Sequence, residues 1–236
     1  SGDPTADAVI LWTRVTSAGD EAADVTWTLA NDSELTDVVA TGKVKAEAAK
    51  DFTVKLDATG LAPATSYFYA FEALGERSPI GRTRTTPKGA HPRLRLGVVS
   101  CASLPHGYFN AYRHLSERGD IDVVVHLGDY IYEYTDGSYG IFRESEPLHE
   151  IVSLADYRAR YAQYRRDPDL QRAHQQFPFV VVWDDHEVAD NSYKDGAENH
   201  NPGEGDYGER RAVALQAYLE WLPIRGGQDG KIYRTL

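Results

Sequence analysis

The stretch IDVVVHLGDYIYEY, residues 121–134, decides how the chain is read. Ile121 to Leu127 is an almost unbroken apolar run, the mark of a strand buried on both faces of a sheet. Gly128-Asp129 ends the run with a turn residue and a carboxylate. Three positions later Tyr132 stands where a second carboxylate would be expected.

Two further stretches have the same texture, RLRLGVVS (93–100) and FPFVVVWDDHE (177–187). Helical segments separate and follow them. FNAYRHLSER (109–118) places Tyr112 and Leu115 on one side. SLADYRARYAQYRRD (153–167) has Ser153 as its expected N-cap. ERRAVALQAYLEWL (209–222) gathers Val213, Ala214, Ala217, Tyr218, Trp221 and Leu222 on one face. Non-alternating strands with intervening helices predict an α/β domain whose sheet is covered on both faces. KIYRTL (231–236) looks like the start of a fourth strand, so this domain reads as C-terminally incomplete.

Upstream the pattern changes to period-2 alternation. Val25, Trp27 and Leu29 share one face, as do Phe52, Val54 and Leu56, and Tyr67, Tyr69 and Phe71. Turn-rich segments at short intervals predict an antiparallel β-sandwich. LAPATSYFYAFEA, with Leu61, Pro63, Thr65 and Tyr67, resembles the tyrosine corner of fibronectin-III and immunoglobulin-like modules. TPKGAHP (86–92) reads as an exposed linker. The expected division is therefore a β-sandwich over 1–88 and an α/β domain over 89–236.

Net charge is −11, which disfavours stable nucleic-acid binding because a nucleic-acid groove needs a basic surface. A phosphate-bearing ligand stays open, since a bound cation can supply local positive charge. No apolar run reaches the ~18 residues needed to span a bilayer. The chain opens SGDPT without an initiator Met, so either a leader has been removed or the sequence starts inside a longer gene. Cys101 is the single cysteine, so an intrachain disulfide is ruled out.

In an open α/β sheet, ligands bind at the carboxyl ends of the strands. The first strand ends in Ser100-Cys101, the second in Gly128-Asp129 with Tyr132 following, the third in Asp184-Asp185-His186-Glu187 with Asp190-Asn191 close behind. Singly, each has a plain explanation: a small buried thiol, a turn-forming Asp, a packed aromatic. Four polar groups directly after Val-Val-Val-Trp are harder to explain at a buried edge. Together, three strand ends offering thiol, carboxylate with phenol, and carboxylate with imidazole point to a metal site.

VVSCAS, HLGDYIYEY and WDDHEVADN resemble the calcineurin-like metallophosphoesterases, and within them the alkaline phosphatase D (PhoD)-like family, which includes phospholipase D-type members. The usual superfamily pattern has Asp-x-His, Gly-Asp-x-x-Asp and Gly-Asn-His-Glu after the three strands. Here Cys101, Tyr132 and Asp185 depart from it, and those departures are the PhoD-like pattern. The resemblance covers nearly the whole chain. It implies an immunoglobulin-like N-terminal domain before an α/β/β/α sandwich, and hydrolysis of phosphate esters by a metal-activated hydroxide. It further implies Fe(III) with Ca²⁺ nearby, although another second divalent ion would serve. Thiolate, phenolate and carboxylate suit Fe(III) better than Mg²⁺ or Ca²⁺. Cys101, Asp129 and Tyr132 would hold the iron; Asp185, with Asn191 as a weaker donor, the second ion. Asp184 and Asp185 point in different directions if strand geometry persists, so one of the two is expected to ligate. His186 would give a proton or hydrogen bond at the leaving side, and Arg211, in preference to Arg210, would neutralise phosphate. Expected partners are a small phosphate monoester or diester, or a phospholipid reached by transient membrane-surface contact. The expected protein is an extracytoplasmic monomer, secreted or periplasmic.

Other motifs fail on context. GEGDYG has G-x-G-x-x-G spacing but does not directly follow a strand, and HEVAD lacks the second His of a zincin. NDS (31–33) is a glycosylation sequon by spelling only, and no G-x-S-x-G elbow supports a serine hydrolase. The rival from another class is a non-catalytic extracellular binding module with a degenerate, Ca²⁺-binding metal domain. The Cys101–Tyr132 pair argues against it, because a structural calcium site has no use for a thiolate.

Overall fold

The computed structural model describes residues 1–16, 19–90, 93–135, 141–226 and 231–235. Seven strands come first: β1 (Ala8–Arg14), β2 (Ala23–Ala30), β3 (Val38–Ala46), β4 (Thr53–Thr59), β5 (Ser66–Ala73), β6 (Glu76–Arg77) and β7 (Gly81–Arg84). β2 lies between β3 and β5, β6 and β7 pair with β5, and β1 pairs with β4, all antiparallel. The alternation seen in the sequence explains the packing. Val25, Leu29, Tyr67, Tyr69 and Phe71 from one layer meet Val9, Leu11, Val54 and Ala58 from the other in a single apolar core. The Tyr67 hydroxyl accepts the Ala62 backbone N–H at 2.9 Å, closing the turn before β5 onto its own strand. A two-residue loop, Leu74-Gly75 with φ of 53° and 82°, joins β5 to β6. Such a loop matches the twist of its flanking strands only with positive φ at both positions.

The second part contains β8 (Leu96–Val99), α1 (Asn110–Ser116), β9 (Val123–His126), α2 (Leu154–Arg165), α3 (Pro168–Gln176), β10 (Phe179–Val181) and α4 (Tyr207–Trp221). The strands are parallel in the order β10-β9-β8, so their carboxyl ends share one edge. Ser153 caps α2 in a reciprocal capping box with Asp156. α3 is an element absent from the sequence reading, which ran the preceding helix to residue 167. Asp167 instead ends that helix and caps a new one, accepting the Asp169 and Leu170 N–H groups, with Pro168 in its first turn.

The sheet differs from expectation on one face. The helical side is closed by Tyr112, Tyr157, Tyr161, Tyr164, Tyr218 and Trp221, among others. On the strands and their ends, Leu96, Val98, Leu127 and Val182 are 47%, 59%, 50% and 41% exposed. An unbroken apolar strand calls for cover on both sides, and the described residues supply it on one.

Several contacts fuse the parts. Gly2 bridges to Ile10 of β1 and to Phe179 of β10. α4 docks on the first part through Trp12 Nε1 to the Glu220 carbonyl (2.8 Å) and Lys55 Nζ to the Leu219 carbonyl (2.6 Å). The linker over 86–90 has no helix or strand, and positions 91 and 92 lie outside the described residues. Residues 231–235 do not form the strand expected there. Arg234 anchors this stretch through its side chain instead, pairing with Asp3 (2.6 Å) and donating to the Val181 carbonyl (2.9 Å).

Candidate metal centre

The turn after β9 is forced by its residues. Gly128 has φ +107°, and a Cβ there would lie 2.5 Å from Asp184 Cβ, so only glycine lets the two strand ends approach. Asp129 and Cys101 follow their strands with φ of 53° and 58°, and Asn191 has 54°. Positive φ is uncommon outside glycine and costs on the order of 1–3 kcal/mol where the surroundings impose it; it gathers at functional sites. The Cys101 N–H donates to the Gly128 carbonyl (3.2 Å) and the Ala102 N–H to the Asp129 carbonyl (2.9 Å), stitching the first two strand ends together.

Glu187, fully buried, ties in the third. Its carboxylate accepts the backbone N–H groups of Asp129 (3.1 Å), Tyr130 (2.6 Å) and Asp184 (2.7 Å). Burial raises its pKa to about 7, against the pull of those N–H donors.

Asp129, Asp185 and His186 each bring one ligand-type atom to a common point, all within 4.8 Å of one another. Tyr132 donates to Asp129 Oδ2 at 3.1 Å, and the Cys101 thiol also hydrogen-bonds this carboxyl. Asp129 Oδ1 is buried without a hydrogen-bond partner. A buried carboxylate oxygen with an open lone pair, inside a ring of ligand-type groups, is an incomplete arrangement that a cation completes. Burial pushes the Asp129 carboxyl up; the His186 charge and the Tyr132 hydrogen bond oppose this. The Tyr132 phenol is raised strongly, by burial first and then by the charge of Asp129. A cation reverses that order by making the phenolate the favoured form. The residues therefore fit a metal ion.

Burial works against charge on His186, yet the hydrogen bond and charge of Glu133, with Asp129 and Asp185, raise it to about 9. Its Nδ1 lies 2.7 Å from Glu133 Oε2, and its ring packs 4.2 Å from that of Tyr132.

The remaining candidates lie around this centre. Asp185 Oδ2 accepts the Asn191 backbone N–H, while the Asn191 side chain turns to Glu198 (2.8 Å). Asp184 is exposed. Arg210 is buried and consumed by Glu150, Glu204 and the Tyr157 hydroxyl. Arg211 is exposed and donates to the Lys194 carbonyl at 2.9 Å. From the sequence Glu187 stands out only as one of the four polar groups after the third strand, with no role of its own, and Glu133 not at all. Both lie inside quoted motifs, but nothing in spacing separates them from solvated acids.

Comparison with known proteins relates the whole chain to one family. Residues 1–87 match the PhoD-like phosphatase N-terminal domain and residues 96–236 the PhoD-like phosphatase domain. The chain is 40% identical to alkaline phosphatase D of Bacillus subtilis over 99% of its own length and 43% of that protein's. A solved structure described as PhoD superposes with a TM-score of 0.88 at 39% identity, covering 95% of this chain and 45% of that one. The chain thus spans less than half the length of these two relatives. The chain belongs to the PhoD-like phosphatase family.

Proposed function

We propose that this chain carries a metal centre for phosphoric-ester hydrolysis. The observation that supports it most is the convergence of Asp129, Asp185 and His186 around the orphaned Asp129 Oδ1, with Tyr132 and Cys101 bonded to the same carboxyl. Cys101, Asp129 and Tyr132 would hold Fe(III); Asp185 would hold Ca²⁺, with Asn191 able to join through its side-chain oxygen. Bound cations supply Lewis-acid polarisation of phosphoryl oxygens and activation of water as the nucleophile.

The chain's own residues then divide the work. Asp129 presents both carboxylate oxygens to the centre. His186, whose charged form is favoured by Glu133 and the neighbouring carboxylates, would give its Nε2 proton to the leaving alkoxide oxygen. Glu187 keeps the strand ends in register. Arg211 meets phosphate only if the segment around Lys194 rearranges. The fold is read as an immunoglobulin-like sandwich before a calcineurin-like domain.

A phosphate diester, monoester or phospholipid all fit this chemistry. An extracytoplasmic monomer, without stable nucleic-acid binding, is the proposed setting, and no helix among the described residues is long and apolar enough to cross a membrane.

The test is elemental analysis and visible spectroscopy after iron and calcium loading. Hydrolysis of 4-nitrophenyl phosphate and bis(4-nitrophenyl) phosphate is followed on the same sample. A charge-transfer band, about one iron per chain and chelator-sensitive hydrolysis are expected. Hydrolysis that persists in thoroughly metal-free protein would overturn the proposal.

A further inference from the structure

Glu133 is fully buried, yet it is a carboxylate in a chain already rich in acid. A buried ionised group is costly unless its oxygens are well bonded, and here they are. Oε1 accepts the Asp190 backbone N–H and the Asn199 side-chain amide, each at 2.7 Å. Oε2 lies 2.7 Å from His186 Nδ1. A carboxylate only accepts, so Nδ1 must carry the proton. That leaves Nε2 as the nitrogen available to the point where Asp129 and Asp185 converge. The two aromatic neighbours, with ring centroids at 4.2 Å for Tyr132 and 5.2 Å for Tyr134, fix the ring plane from two sides.

We infer that Glu133 is the positioning residue of the centre: through Nδ1–H it sets the orientation and proton arrangement of His186 so that Nε2 serves the metal-and-substrate point. The inference rests on the functional reading above, but its geometry holds for either use of Nε2, as proton donor or as metal ligand. A carboxylate behind the remote nitrogen of a site histidine commonly contributes ~10–100-fold in metal affinity or activity.

Glu133→Gln is the informative change because it is nearly isosteric. The amide oxygen can still accept from Asp190 and Asn199, while the amide N–H₂ now faces His186. Nδ1 must turn from donor to acceptor, which leaves Nε2 as the protonated nitrogen.

The experiment is proton and ¹⁵N NMR of the His186 ring in metal-free protein, with Mn²⁺ binding followed calorimetrically on the same samples. The unmutated protein is expected to show a downfield, exchange-protected Nδ1–H that disappears in E133Q. Turnover of 4-nitrophenyl phosphate after iron and calcium loading is expected to fall about 10-fold or more while Mn²⁺ still binds. In the double variant E133Q/H186A the loss should not exceed that of H186A alone, since Glu133 acts through His186. Thermal melts of the same variants, with Asn199→Ala as a control that removes a Glu133 partner but leaves the His186 contact, separate simple destabilisation from mispositioning. An Nδ1–H absent before mutation, or retained in E133Q, overturns the inference, as does a loss fully additive with H186A. If the unmutated protein binds no Mn²⁺ but shows the Nδ1–H that E133Q loses, the positioning stands and the metal reading fails.

Discussion

At the scale of the residue, the centre depends on a few atoms whose environment sets their chemistry. Cys101→Ala and Tyr132→Phe each remove a donor bonded to Asp129 while changing little volume. Each should lower bound iron by about 10-fold or more and weaken the visible band, as read by elemental analysis and absorbance. Normal iron content in both variants would remove them from the site. His186→Ala tests proton donation. It should retain metal and lose turnover most severely for poor leaving groups, whereas loss of the metal itself would make His186 a ligand.

His126 makes a pH prediction. Burial lowers its pKa from 6.5 to about 3, and its Nδ1 accepts the Gly128 N–H at 3.3 Å, so the folded form keeps it neutral. The unfolded chain takes up this proton first. The contribution is therefore complete above pH 6.5 and is lost as pH falls from there towards about 3. Urea unfolding at pH 8 and pH 5 should show lower stability at pH 5, with a shallower pH slope in His126→Asn. An unchanged slope would show that His126 does not carry the effect.

At the scale of the element, helix boundaries were written in short polar signals. Ser153 and Asp156 form the capping box of α2. Ser153→Ala should cost about 1 kcal/mol by chemical denaturation and leave metal binding intact, because the Ser153 side chain bonds the Asp156 N–H of its own helix and nothing at the centre. The Asp167-Pro168 pair is a start signal of the same kind, Asp167 accepting the Asp169 and Leu170 N–H groups, and a helix drawn from 153 to 167 passes over it. The β9 turn is stricter. Gly128→Ala meets both a positive φ and a 2.5 Å approach to Asp184, so it should lose stability and metal together. A fully stable, metal-binding Gly128→Ala protein would contradict the forced turn.

At the scale of the whole molecule, the two parts are joined by a backbone bridge, hydrogen bonds and ion pairs. Arg158 joins Glu220 of α4 and the Ala49 carbonyl, and Arg225 joins Asp57 and the Asp3 carbonyl. Both parts should therefore unfold in one transition, with tryptophan fluorescence and far-UV circular dichroism coincident. The open face of the β10-β9-β8 sheet is apolar and exposed at Leu96, Val98, Leu127 and Val182. A patch of this kind favours dye binding and association. Val98→Lys should reduce anilinonaphthalene sulfonate fluorescence without lowering the melting temperature. A marked destabilisation would mean that Val98 is already covered in solution.

The change from alternating to continuous apolar strands, the Ser153 cap and the strand-end positions of Cys101, Asp129, Tyr132 and Asp185 were all legible in the amino-acid sequence. Each of these follows from periodicity or from residue chemistry within a few positions. The motifs also carried the family resemblance, because they depart from the wider superfamily in a shared way. Long-range packing alone settled that Glu133 and Glu187 are buried and bonded, that Arg210 is consumed by Glu150 and Glu204, and that one sheet face is uncovered among the described residues. It also showed that Arg234 anchors to Asp3 where a strand was expected. These outcomes depend on which groups meet across long stretches of chain: Glu187 reaches Tyr130, and Arg234 reaches Asp3. The cost of burying a charge is fixed by such partners, and a local pattern of residue types does not contain them.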